Sequence, residues 1–128
     1  MPAFPPEIQP LVDRLVRLRA VGRVQVAMLY GSYAKGTVHA RSDIDLALAL
    51  APADAAAELS VVDELLMSVD REVSILRLDD PDESPWVIQA ALKGMHLVEP
   101  DWAAYYAAAD RALHESESLR LHREMTDA

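Results

Sequence analysis

The segment Asp43-Ile44-Asp45-Leu46-Ala47-Leu48-Ala49-Leu50 changes character at every step. In an extended chain Ile44, Leu46, Leu48 and Leu50 share one face, while Asp43, Asp45, Ala47 and Ala49 share the other. This period of two predicts a β-strand with one face in a core. It also places two carboxylates together where the opposite face begins. Such a strand needs neighbours, and Val24 to Tyr30 and Arg71 to Leu78 read as two of them, with Met95 to Glu99 as a short edge strand.

Helical spacing fills the intervals. Ile8, Leu11, Val12, Leu15 and Leu18 predict a helix from Glu7 to about Ala20. A second helix is expected from Pro52 to about Ser68, with Leu59, Val62, Leu66 and Val69 on its buried side. Ser84-Pro85 predicts the start of a third, which should end at Gly94 in a left-handed cap. A last helix opens at Pro100 or Asp101, carries Trp102, Tyr105, Tyr106, Ala109 and Leu113, and weakens beyond about Ser116. Trp86 and Trp102 are expected as core anchors. Alternating strands and helices predict an α/β (α+β) class, with a small mixed β-sheet flanked by helices in one domain over 1–128.

Composition narrows the function. The formal net charge is −9, so the surface as a whole repels polyanions, which argues against direct nucleic-acid binding. The absence of cysteine excludes disulfides and thiolate metal sites. No apolar run approaches the roughly 18 residues that span a bilayer, and the start lacks a secretion signal, so a cytoplasmic protein is expected.

Chemistry concentrates between the first two strands. Gly31-Ser32-Tyr33-Ala34-Lys35-Gly36 leaves a strand at a glycine, and Ser32 to Lys35 can form one helical turn whose free N–H groups suit phosphate. Gly31 admits a phosphate without a Cβ in the way, Ser32 adds a hydroxyl donor, and Lys35 can add a point charge. Asp43 and Asp45 offer the same-face oxygen ligands that Mg²⁺ uses to grip a nucleoside triphosphate. Ser42 is expected to orient that strand or cap it.

The order G-S-x-A-[RK]-G followed by S-D-x-D-L, at Gly31 to Gly36 and Ser42 to Leu46, resembles the minimal nucleotidyltransferases of the polymerase-beta-like superfamily. The resemblance implies that fold. It also implies Mg²⁺-dependent transfer of AMP from ATP, with Asp43 and Asp45 as catalytic metal ligands and Gly31, Ser32, Lys35 and Ser42 around the nucleotide. Many members are antitoxins of all-helical HEPN toxins, and some modify a tyrosine of that partner. The chain departs from the pattern on the third strand, where Ser74 stands at the position of an expected third aspartate. Glu72, two residues earlier on the same face, is the candidate replacement; Asp70 has the same parity but precedes the strand. Two other readings remain open: a degenerate module that neutralises its partner by binding alone, and a small-molecule enzyme of the aminoglycoside type.

The remaining candidates are less specific. His96, His114 and His122 lack metal-ligand spacing, and His39 falls in the loop between the motif halves. Tyr30 and Tyr33 flank the glycine turn and are expected mainly in packing. Ala103, Ala104, Ala107, Ala108 and Ala112 permit close approach of the last helix to its own sheet, or to another helix.

Overall fold

The alternating segment forms strand β2 (Ile44–Leu50), which lies inside a four-stranded sheet. The computed structural model describes residues 4–35 and 43–126. Ser42, His39, the loop expected over 37–41 and the side chain of Lys35 lie outside the described residues. Strand β1 (Val24–Tyr30) pairs antiparallel with β2, and β3 (Val73–Arg77) pairs parallel with it. Strand β4 (Met95–His96) closes the other edge antiparallel to β1, giving the order β3-β2-β1-β4. The mixed sheet is therefore as expected, and β4 is shorter than its sequence pattern.

Helix α1 (Gln9–Ala20) follows a 3₁₀ turn at Pro6–Ile8, and one helical turn, α2 (Ser32–Lys35), follows β1. Helix α3 (Ala55–Leu66) makes the parallel crossover between β2 and β3 that such strands require. Helices α4 (Pro85–Ala91) and α5 (Trp102–Thr126) flank β4 in sequence. Helices α1 and α3 cover one face of the sheet, with Leu11, Leu15, Leu29, Leu46, Leu48 and Leu65 in one apolar cluster. Helices α4 and α5 cover the other, where Val26, Met28, Ala47, Leu78, Ile88 and Ala112 meet.

Both faces of β2 are thus core, not one: Ala47 is fully buried and Ala49 is 5% exposed. The small alanines let α4 and α5 approach closely, which leaves Asp45 at the margin of a doubly covered strand. A register shift in β1 between Val24 and Val26 keeps the faces matched. Val24 lies with Leu50 on the α1 side, whereas Val26, Met28 and Tyr30 oppose Ala49, Ala47 and Asp45 on the α4–α5 side. The extra residue, Gln25, offers its carbonyl to the Asp101 N–H at 2.8 Å.

Several local expectations change. Asp54, not Pro52, sets the start of α3: its carboxylate accepts the Ala57 N–H at 2.7 Å. That helix buries Val61 and Leu65 while Leu59 and Leu66 face outward, because both sets lie at helical spacing and packing on the sheet chooses between them. Trp86 and Trp102 are half exposed and anchor nothing in the core; α4 instead buries Pro85, Ile88 and Ala91. Helix α5 runs on to Thr126, although residues 117–125 are all exposed. Its inner half is held by Gln89, which donates to the Ala112 carbonyl at 3.1 Å and to Ser116 Oγ at 2.8 Å. Ala108 and Ala112 face the chain's own sheet, while Ala103 and Ala107 are exposed.

Gly94 is not the left-handed cap expected for α4, since among the described residues only Gly22 and Gly31 have positive φ. It is small for another reason: a Cβ there would collide with the Leu29 carbonyl of the neighbouring strand. Gly94→Ala should therefore cost about 1–3 kcal/mol in denaturant unfolding, as overpacking against backbone does. Gly22→Ala has open space and should lose only the left-handed strain, about 1–2 kcal/mol. A fully neutral Gly94→Ala would mean that the β4 edge moves freely.

Candidate functional site

Gly31 ends β1 with φ +70°, a conformation that L side chains rarely adopt. A Cβ at this position would strike Asp45 Oδ2 and lie 3.1 Å from Asp45 Cγ. The glycine turn therefore rests directly against the second carboxylate of the Asp-x-Asp pair. Sequence spacing suggested both features separately, and the fold places them in contact.

Strand pairing aims Asp45. It is opposite Tyr30 on β1 and in register with Ser74 on β3, so a row Tyr30–Asp45–Ser74 crosses three strands on the α4–α5 face. Asp43 precedes β2 and is exposed, while Asp45 is half-buried. Burial first, and then the nearby charge of Asp43, push the Asp45 carboxyl above the usual aspartate range. Tyr30, half-buried beside it, has its phenol pushed up by burial and then by the charges of Asp45 and Glu83.

The third strand supplies no aspartate to this row. Ser74 is exposed and in register with Asp45, so the departure from the resembling pattern falls at the position nearest the pair. Glu72 is also exposed, and its carbonyl accepts the Ile44 N–H at 2.9 Å. Its side chain has the parity of Ser74 and stands one row earlier, level with Asp43. Among the described residues, no three His, Cys, Asp or Glu side chains converge as a closed metal cage. The donors present are oxygens only, and two of them repel each other. That set fits an open Mg²⁺ site completed by water and phosphate oxygens better than a closed structural one.

Ser32 and Tyr33 begin α2 as expected, and Tyr33 turns inward with only 6% exposure. Burial pushes its phenol up, the Arg71 charge opposes this, and Glu7 adds to the rise. Sequence reasoning overlooked Arg71, whose guanidinium carbon is 5.9 Å from the Tyr33 ring centroid. Its place immediately before Glu72 was the available signal. A cluster of His96, Trp102, Tyr105 and Tyr106 with ring centroids 5.3–5.8 Å apart was also not foreseen. A concavity of about 650 Å³ lies between α4 and α5 against Trp86, Leu113 and Leu119, away from the Asp43–Asp45 pair. Its lining includes Glu117, Arg120 and Arg123 but no pair of carboxylates, so the candidate site is placed at the Gly31 turn instead.

Comparison with known proteins gives the family. The family model described as Polymerase beta, Nucleotidyltransferase matches residues 17–102, which include the turn, both aspartates and β3. Among solved structures, a toxin–antitoxin with AMP-PNP aligns with TM-score 0.67 and 23% identity, covering 90% of this chain and 94% of that one. The toxin–antitoxin MntA-HepT aligns with TM-score 0.61 and 20% identity over 92% of this chain and 94% of that one. The tri-AMPylated Shewanella oneidensis HEPN toxin in complex with MNT antitoxin gives TM-score 0.61 and 20% identity, covering 92% and 93%. At these identities the likeness is one of fold. No curated protein matches the sequence significantly.

The raised Asp45 carboxyl has a consequence for stability. Its protonated form favours the native state, so its contribution is full below the unfolded pKa, about 4, and is lost as pH rises through the higher folded value. Asp45→Asn should therefore raise Tm at pH 7 relative to wild type, and the difference should shrink at pH 3.5. An equal difference at both pH values would contradict this electrostatic account.

Proposed function

Because this chain belongs to the polymerase beta nucleotidyltransferase family, we propose that it transfers AMP from ATP to a hydroxyl of a partner protein, as the antitoxin of a HEPN-type helical toxin. The observation that carries the proposal is the contact between the Gly31 turn and Asp45, with Asp43 two residues away. A triphosphate seated on the turn at Gly31 and Ser32 would lie beside both carboxylates. Lys35 and Ser42 are proposed to complete the nucleotide contacts. The matched structures with AMP-PNP and with an AMPylated HEPN toxin support the choice of nucleotide and partner.

Asp43 and Asp45 would hold Mg²⁺, relieving the repulsion that raises the Asp45 carboxyl. When bound, Mg²⁺ supplies charge neutralisation on the phosphoryl group and on departing pyrophosphate. The acceptor oxygen forms its bond to the α-phosphorus as the α–β bridging bond breaks, and pyrophosphate leaves. Glu72, immediately before β3, is the carboxylate proposed to receive the acceptor proton, since Ser74 cannot serve as a base unaided. A net charge of −9 suits a basic protein acceptor rather than a nucleic acid.

Ser74 favours one alternative reading, a module that retains the fold and neutralises its partner by contact alone. Intact-mass analysis of the genomic-neighbour protein, incubated with this chain, ATP and Mg²⁺, separates the two. An AMP adduct that disappears with EDTA and in Asp43→Ala/Asp45→Ala supports transfer; a stable complex without adduct supports binding alone. Glu72→Gln should slow transfer about 10²–10⁴-fold, the usual range for a general base. Undiminished transfer by that variant would remove Glu72 from the mechanism. Mg²⁺ with ATP should also raise the Tm of wild type but not of Asp45→Asn, by linkage of binding to folding.

A further inference from the structure

The phosphate turn has little means of holding itself. Helix α2 is only four residues long, and a single turn is not stable alone. Its anchor is Tyr33, whose ring lies in the apolar cluster with Ile8, Leu11 and Leu15. The Tyr33 hydroxyl is buried and makes no hydrogen bond of ordinary length and angle among the described residues, although the Glu7 side chain lies close enough to bear on it. Arg71 lies over that ring at 5.9 Å. The next residue, Glu72, is tied through its carbonyl to the Ile44 N–H at 2.9 Å, between Asp43 and Asp45 in sequence.

One cation–π contact therefore links the Gly31–Ser32 turn to the start of β3. We propose that Arg71 and Tyr33 are positioning residues that hold the phosphate turn and the Glu72 segment in one geometry. The inference rests on the nucleotidyltransferase reading above. Neither residue needs to touch the nucleotide: Tyr33 is buried, and Arg71 lies against its ring on the side of Glu7 and Pro10. The ring and the cation do the work, and the phenol oxygen does not.

Four variants test this by calorimetric titration with AMP-PNP and Mg²⁺, alongside thermal melts. Arg71→Met removes the cation, and Tyr33→Met replaces the ring with a flexible side chain that limits the cavity. Each should weaken nucleotide binding about three- to tenfold, the range for losing one such contact. Arg71→Lys and Tyr33→Phe should recover most of the affinity. Lower Tm with unchanged affinity in both disruptive variants would overturn the inference, leaving only ordinary packing. Weakened binding in Arg71→Met but not in Tyr33→Met would also overturn it, because the charge would then act on the nucleotide directly. Wild type that binds no nucleotide defeats the parent reading and this one together, whereas normal wild-type binding with unaffected variants defeats this one alone.

Discussion

The close approach of Gly31 to the Asp45 carboxylate is the constraint on which the site depends. The turn must take a left-handed conformation, and the space where a Cβ would project already holds Asp45 Oδ2. Any other residue would meet both penalties together. Asp45 cannot easily withdraw, because β2 is paired on both sides and its following residues are buried on both faces. The sheet thus acts as a jig: hydrogen-bonded register fixes the carboxylate, and the carboxylate's position requires the glycine. The shift near Gln25 belongs to the same device, since it brings Tyr30 opposite Asp45 while Val24 still faces the α1 side.

Placing two acids at the start of this strand opposes stability. The Asp45 carboxyl is pushed up by burial and by Asp43, so its ionised form is disfavoured in the folded protein without a compensating cation. An aspartate at Ser74 would add a third negative charge directly beside Asp45 in the same row. Glu72 stands one row away with a longer side chain, which spreads the charge while keeping a carboxylate on the same face. A half-buried carboxylate beside a like charge is the arrangement that the proposed cation would relieve.

Much of the framework was legible because periodicity and local chemistry agree. Val24–Tyr30, the alternation after Asp43 and the turn at Ser32–Lys35 all appear where the pattern put them. Helix faces were less legible. In α3, Val61/Leu65 and Leu59/Leu66 both repeat at helical intervals, and only the shape of the sheet selects the first pair. Aromatic size misled at Trp86 and Trp102, where smaller residues bury instead and permit closer packing on the sheet. Gly94 was legible as necessary but not for its reason, which is a neighbouring strand's carbonyl far away in sequence.

The sequence by itself determined the two halves of the candidate site, a glycine turn and a pair of same-face carboxylates, because each is set by residues close together in the chain. It also determined that Ser74 and Glu72 share a strand face, since parity is a local property. Tertiary structure alone decided that Gly31 packs on Asp45, that Ser74 stands in register with it, and that Arg71 lies over Tyr33. Those contacts join residues on different strands and helices. Register and packing set the distances between them, and no spacing within one segment encodes either.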